Sequence, residues 1–363
     1  KLVASDGTAS DHFGWSVASS GDFVVVGALA DDAPGYYAGS AYVYRNVDGV
    51  ATEVAKLVAD DAGEKDQFGI SVAIHNDIVV VGSVGWSATP NSAAYVYKSS
   101  DGGATWPQVA KLVADDAPDD QSGFGYSVAI EDDTIAVGAT QDYTGTHAGT
   151  GSAYVFKTPD GGATWTQKAK LVESDPTAGA WFGMSISLSG DVIAVGAHYK
   201  DGGRGTQAGS AFVFRTTDGG ETWTQAAEVV GDDVGIQDHF GRSIDVDGDT
   251  LVVGAPQDDE VIANAGAAYV FRTTDGGASW SQEAKLTADD SATDDRLGVS
   301  VSITGSTIVA GAYGNSKGAA YVWHTTDGAT WTREAKLVSS DIANGDNFGF
   351  SISLGADFIV VGA

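Results

Sequence analysis

The dipeptide Phe-Gly recurs at Phe13-Gly14, Phe68-Gly69, Phe124-Gly125, Phe182-Gly183, Phe240-Gly241 and Phe348-Gly349, and Leu297-Gly298 fills the remaining slot. These seven copies stand 51 to 58 residues apart along a chain of 363 residues. A period of that size marks an array of units, each burying an apolar face against its neighbour. Every copy leads into an apolar run ending in Gly-Ala or Gly-Ser: 24–28, 79–83, 135–139, 193–197, 251–255, 308–312 and 359–363. Six copies continue into segments like "GSAYVF", starting at Gly39, Ser92, Gly151, Gly209, Gly266 and Gly318. Five of those reach a "DGGATW"-like turn ending in Trp106, Trp165, Trp223, Trp280 or Trp331, before "AKLVADD" closes the unit.

Each piece reads as a strand. Over 182–188, Phe182, Met184, Ile186 and Leu188 alternate with Gly183, Ser185 and Ser187, the period of two that a strand requires. Residues 192–195 are continuously apolar, as expected of a strand buried on both faces. Residues 211–214 are short and aromatic, and 223–230 are more polar, as an outer strand should be. Four antiparallel strands per unit is the size of a propeller blade. The expected fold is therefore an all-β, seven-bladed propeller forming one domain over 1–363, with repeats beginning near 13, 68, 124, 182, 240, 297 and 348. The expected count is 27 strands, with "KLVA" at the start supplying the end of a fourth strand. The third strand of the last blade would follow Ala363, so the residues are expected to belong to a longer polypeptide.

The pattern Phe-Gly-x-Ser-Val, Val-Val-Gly-Ala, Gly-x-Ala-Tyr-Val-Tyr resembles the FG-GAP repeat of integrin α-subunit propellers and of bacterial and algal surface proteins. The resemblance covers essentially the whole chain. It implies an extracellular or cell-surface recognition, adhesion or structural module, without catalysis. One feature departs from it. Calcium-binding repeats of that family carry a long Asp-rich loop between the first two strands, whereas here the link is short, as in Ser20-Gly21-Asp22 or Asp247-Gly248-Asp249. Calcium takes 6–8 oxygen ligands, more than such a hairpin offers. The segment 99–106, "SSDGGATW", is similar to the Asp-box of sialidases, as are 158–165, 216–223 and 273–280. That resemblance implies a structural hairpin away from any active site.

Composition narrows the functions further. The chain carries 49 Asp and Glu against 19 Lys and Arg, a net charge of -30. Such a surface repels nucleic acid and anionic membranes, so neither is an expected partner. Cys is absent and no apolar run approaches membrane-spanning length, so thiol chemistry and direct membrane insertion are excluded. The six His show no metal-ligand spacing. Arg45, Arg215 and Arg272 share one repeat position, and so do not form a converging triad.

Two candidate regions remain. The links between units hold paired aspartates: Asp61 with Asp66, Asp233 with Asp238, and Asp290 with Asp295. They read either as turn residues accepting backbone N–H groups or as cation sites. Calcium is thus the one candidate cofactor, and none is required. The loops after the second strands differ between repeats, as binding loops do. They offer Tyr36, Tyr37, Trp86, Tyr143, Tyr199, Arg204, Asp258 and Tyr313. Exposed aromatics suit a sugar ring or a protein anchor. The expected partner is a protein or glycan ligand, or other copies or further domains of the same assembly. The alternative is a lectin-like or carbohydrate-active propeller.

Overall fold

The structure is a computed structural model describing residues 1–33, 35–85, 92–116, 122–143, 148–201, 204–260, 262–314, 317–341, 343 and 345–363. Among these residues it forms six four-stranded antiparallel sheets and one two-stranded sheet, each built from strands consecutive in sequence. The first blade holds β1 (Phe13–Ser20), β2 (Phe23–Ala28), β3 (Ser40–Val47) and β4 (Val50–Leu57). The two-stranded sheet, Ile352–Leu354 with Ile359–Val361, packs between the sixth blade and the first.

Burial follows the strand order. Every residue of Val192–Ala197, the second strand of the fourth blade, is buried. The outer strand Thr166–Leu171 alternates between exposed and half-buried positions over its first four residues and is buried only at Leu171. The apolar cores lie between neighbouring blades. Val192, Val213 and Val229 of the fourth, for example, pack against Phe240, Val253 and Tyr269 of the fifth.

A ring of hydroxyl bonds ties the inner strands together. The Ser of each Phe-Gly-x-Ser, or Leu-Gly-x-Ser, donates to the Gly carbonyl of the next unit. Ser16 reaches Gly69 at 2.8 Å, Ser71 reaches Gly125 at 2.8 Å, Ser127 reaches Gly183 at 2.8 Å and Ser185 reaches Gly241 at 2.9 Å. Ser243 then reaches Gly298, Ser300 reaches Gly349, and Ser351 closes the ring on Gly14 at 2.7 Å. The glycines leave room for this contact: a Cβ on Gly27 would stand 2.1 Å from the Gly69 oxygen and 2.3 Å from Ser16 Oγ. The outer rim is clasped as well. Arg45 donates to the Gly102 carbonyl, Lys98 to that of Gly161 and Lys157 to that of Gly219, each in the following blade's turn.

Three expectations are corrected. Six blades, not seven, carry four strands, and the seventh sheet carries two. The strands number 26 among the described residues, because residues 1–4 form none. These four residues lack a paired neighbour. Yet Leu2 and Ala4, like Phe358 and Val360, pack against the first blade's core of Val24, Val26, Ala28, Tyr42 and Tyr44, and Lys1 holds Asp341 at 2.9 Å much as Lys56 holds Asp6 at 2.6 Å. Finally, the inner strand of the fourth blade starts at Ser185 rather than at 182, because Gly183 turns to a φ of 91° and Phe182 bridges to Gly151 of the preceding blade.

Candidate functional site

The residue before each Phe-Gly or Leu-Gly adopts a positive φ in every unit: His12 55°, Gln67 51°, Gly123 66°, Trp181 57°, His239 58°, Arg296 58° and Asn347 62°. This left-handed conformation costs an L-residue about 1–2 kcal/mol, which glycine avoids. Only one unit uses glycine. The other six accept the cost with large polar or aromatic side chains, a pattern associated with functional positions.

These side chains meet neighbours from the second-strand loops and from the position after the Phe-Gly. Trp181 stands 5.8 Å from His198 and 5.1 Å from Tyr199, centroid to centroid, and His198 lies 3.8 Å from Tyr199. Tyr199 in turn meets His239 at 5.0 Å. In the next arc, Arg296 donates to the Tyr313 hydroxyl at 2.6 Å and its guanidinium lies 5.5 Å from that ring. Tyr313 meets Phe350 at 5.4 Å, Phe350 meets Trp15 at 4.7 Å, and Trp15 stacks on His12 at 5.9 Å. Trp15, Tyr37 and Tyr126 then pack on Leu29, Ala30, Ile70 and Val84. The result is a girdle of rings spanning the inner links.

Burial, followed by the Arg242 and Arg296 charges, lowers the His239 imidazole to about 4. Burial, Arg242 and His239 push His198 well below its usual range. Both imidazoles are thus neutral at pH 7. Among the described residues neither Arg242 nor Arg296 has a carboxylate within salt-bridge distance; Arg333 is the arginine that does. Nε of Arg296 and Nδ1 of His198 are buried without hydrogen-bond partners.

The link aspartates have different work. Asp61 accepts from the Tyr95 hydroxyl at 2.9 Å and pairs with Lys111 at 2.6 Å. Asp233 does the same with Tyr269 at 2.8 Å and Lys285 at 2.7 Å, and Asp290 with Tyr321 at 3.0 Å and Lys336 at 2.6 Å. Burial opposes ionisation of Asp233, but Lys285 and its hydrogen bonds outweigh that and hold the carboxyl well below the usual range. The second aspartates close turns: Asp66 accepts from the Gly63 amide at 2.7 Å, Asp238 from Gly235 at 2.7 Å and Asp295 from Ala292 at 2.6 Å. Asp290 and Asp295 line one shallow pocket with Tyr321 and Lys336, and Lys336 already holds Asp290. Among the described residues no three acidic or imidazole groups stand where they could share a metal ion.

Asp238 is an exception within this set. Its side chain is buried and its Oδ1 has no partner. Burial is the main cause that pushes its carboxyl up to about 6, with Asp258 and Asp259 adding to it.

The fourth blade reverses the charges of the Tyr–Asp–Lys set. Phe212 stands in the Tyr slot, Glu228 in the Lys slot, and Lys200 in the loop slot held elsewhere by Asp31, Asp142 or Asp258. Lys200 Nζ pairs with the buried Glu173 at 2.6 Å and donates to the Asp175 carbonyl at 2.9 Å.

Of the loop residues expected to bind ligand, Tyr37, Tyr199 and Tyr313 join the girdle. Tyr36 is exposed and contacts Tyr37 at 4.6 Å, and Tyr143 is exposed. Arg204 donates to the Asp232 carbonyl. Asp258 is buried against Tyr269 at 2.5 Å and Lys285 at 2.8 Å. Trp86 lies outside the described residues. Sequence reasoning missed His12, Trp15, Trp181, His198, His239, Arg242, Arg296 and Phe350. The signal was present: the slots flanking the constant Phe-Gly vary most in chemistry from unit to unit.

Comparison with known proteins agrees with this architecture. The FG-GAP repeat pattern matches residues 1–44, 51–97, 106–156, 165–214, 223–271, 280–323 and 331–363. The chain belongs to the FG-GAP repeat family. No curated protein matches it in sequence. In structure it is similar to Sqt1 of Saccharomyces cerevisiae, at 13% identity and a TM-score of 0.51, covering 97% of this chain and 80% of that one. It is also similar to a Lactobacillus plantarum protein, at 14% identity and a TM-score of 0.59, covering 90% and 86%. A third is the periplasmic gluconolactonase PpgL of Pseudomonas aeruginosa, at 11% identity and a TM-score of 0.59, covering 96% and 88%. At these identities the likeness is one of fold alone.

Proposed function

We propose that the chain is a non-enzymatic recognition module of an extracellular or cell-surface protein, its two-stranded sheet being the inner half of a seventh blade. The ligand, a protein or a glycan, is bound at the girdle around the inner links. The observation that carries this reading is the set of six non-glycine residues held at positive φ in the links, where the one Gly123 shows that glycine is accepted. A purely structural link has no use for Trp181, His239 or Arg296 there.

The hairpins at 99–106 and its equivalents serve the scaffold. Asp101 accepts from the Thr105 amide at 2.9 Å, and Trp106 donates to the Gly103 carbonyl at 3.1 Å. These bonds support a structural part for the hairpins. The reading needs no cofactor, because lysine, tyrosine and backbone amides already engage the link carboxylates. The alternative, a lectin-like or carbohydrate-active propeller, is favoured by the ring pairs of Trp15 with Phe350, both half-buried, and of half-buried Tyr199 with His198, which meet at a tilt. A glycan array probed with the intact chain, then with Trp15→Ala and Phe350→Ala, tests both. Binding weakened at least tenfold by the girdle variants is expected. A ligand whose binding ignores them refutes the girdle as the site, and hydrolysis of any array glycan refutes the non-enzymatic part.

A further inference from the structure

We infer that Asp48-Gly49, the tip of the first blade's outer hairpin, is a site of spontaneous covalent modification, where the chain converts its own aspartate to isoaspartate through a succinimide. Asp-Gly is the dipeptide at which that ring closes most readily, because glycine puts no side chain beside the attacking amide. Nine such pairs stand in the chain, at 6, 48, 101, 160, 201, 218, 247, 275 and 327. The sequence does not rank them, and the structure does.

Eight of the nine carboxylates are held. Asp101 accepts from the Ala104 amide at 3.0 Å, the Thr105 amide at 2.9 Å and the Thr105 hydroxyl at 2.6 Å. Asp160, Asp218 and Asp275 accept likewise from the amides of Thr164, Thr222 and Ser279, each at 2.9 Å, and Asp327 from that of Thr330 at 2.7 Å. Asp6 accepts from the Tyr42 hydroxyl at 2.8 Å and pairs with Lys56 at 2.6 Å. Asp201 accepts from the Gln207 amide at 2.8 Å and Asp247 from the Gly305 amide at 2.6 Å. Asp48 is the ninth. Among the described residues its carboxylate has no hydrogen bond or ion pair, the Gly49 amide has no acceptor, and both residues are exposed.

The difference is one of turn chemistry. Val47 pairs with Val50, so β3 and β4 are joined by a two-residue turn, with Asp48 at a φ of 52° and Gly49 at 79°. Asp-Gly suits such a turn through its backbone alone, and nothing there engages the carboxylate. In the hairpins of the next five blades the same dipeptide sits in a longer loop whose amides converge on the aspartate. The threonine hydroxyl, followed by the turn amides, holds Asp101, Asp160 and Asp218 at about 2. Those carboxyls stay ionised and offer no neutral hydroxyl to leave.

The step balances without a co-reactant. Gly49 N bonds to Asp48 Cγ and gives up its proton, while a carboxyl oxygen departs as water. Water returning at Cγ restores aspartate. Water returning at the main-chain carbonyl carbon frees that carboxylate and leaves Gly49 joined through Cγ. The main chain is then one carbon longer, so the two-residue turn no longer fits and the Val47–Val50 and Asn46–Ala51 pairs are the first to be lost.

Ageing the intact chain at neutral pH and 37 °C, natively and in urea, followed by peptide mapping that resolves isoaspartate from aspartate, tests this. Expected in the native chain is isoaspartate at 48 about tenfold or more above that at 101, 160, 218, 275 or 327, with the six sites within a few-fold of one another in urea. Asp48→Glu should abolish the signal at 48, and Asp48→Asn, which expels ammonia in place of water, should raise it. Isomerisation leaves the mass unchanged, so deamidation at Asn344, which lies outside the described residues, reads separately. Native isoaspartate at 48 no higher than at 101 would overturn the inference. The same excess at 48 in urea would overturn it too, by assigning the reactivity to local sequence and not to the fold.

Discussion

Gly235→Thr should stabilise the protein, and should do so more at neutral than at acid pH. In the first unit Asp11 has both oxygens engaged, Oδ2 by the Thr8 amide at 2.6 Å and Oδ1 by the Thr8 hydroxyl at 2.7 Å. In the fifth unit the residue in the Thr8 slot is Gly235, whose amide reaches Asp238 Oδ2 at 2.7 Å and leaves Oδ1 alone. A Cβ on Gly235 would approach nothing closer than 3.7 Å, so the threonine fits. Asp238 is pushed up to about 6 from 3.8, chiefly by burial. At 1.36 kcal/mol per pKa unit, ionising it in the folded state costs roughly 3 kcal/mol. Because the folded value lies above the unfolded one, this cost is absent below about pH 4 and is fully imposed above about pH 6. A hydroxyl donor to the carboxylate recovers about 2 kcal/mol at pH 7.5. Spread over an unfolding entropy of about 2 cal/mol/K per residue, that raises the melting temperature by about 2–3 °C. Calorimetry at pH 7.5 and 4.5 reads it, with a smaller gain expected at pH 4.5, where the folded parent is largely protonated. An equal gain at both values, or none at pH 7.5, would refute the argument that an unpartnered carboxylate sits in this link.

Other expectations follow from the same contacts. Lys200→Met strands the buried Glu173 and should cost about 3–5 kcal/mol, whereas Lys200→Met with Glu173→Met should recover most of it; urea titrations of both variants decide this, and equal losses would contradict it. Asp245 is half-buried, and burial pushes it up to about 6 against bonds from the Ile303 amide, Ser187, Ser302 and the Val246 amide. Its stability contribution is therefore lost as pH rises through about 6, so Asp245→Asn should show a smaller fall in melting temperature between pH 4.5 and 7.5 than the parent. Ser351→Ala removes the hydroxyl that closes the inner ring on Gly14, and should destabilise by about 1 kcal/mol, read as lost hydrogen-exchange protection in 13–20 and 352–361. Thermal melts in millimolar calcium and in EDTA should coincide, since lysines and backbone amides engage the link aspartates; a calcium-specific rise would restore the cation reading.

The scaffold was legible because its physics repeats. Period-two strands, continuously buried second strands and glycines at close approaches recur in every unit, and each recurrence reinforces the others. The end of the ring was less legible: "KLVA" has the spelling of a fourth strand, but a strand forms only beside a hydrogen-bonded partner, and residues 1–4 have none. The paired aspartates could be read as turn or metal chemistry, because that choice depends on Lys111, Lys285 and Lys336, some 45–55 residues away in sequence. The girdle was least legible. Trp15 and Phe350 come from opposite ends of the chain and meet only when the ring closes, and Tyr199 meets His239 across two neighbouring units. The loop tyrosines drew attention by being aromatic in variable loops, yet Tyr36 and Tyr143 remain at the exposed periphery. The informative slots lay beside the constant Phe-Gly, where a residue at positive φ is invisible until backbone geometry is known.

The most direct measurement is hydrogen-exchange footprinting of the intact chain with its tightest array ligand. The account predicts protection at the inner links, 12–15, 181–184, 239–242, 296–299 and 347–350, with the outer hairpins such as 99–106 unchanged. Protection confined to the outer hairpins, with the inner links exchanging as in the free protein, would contradict it.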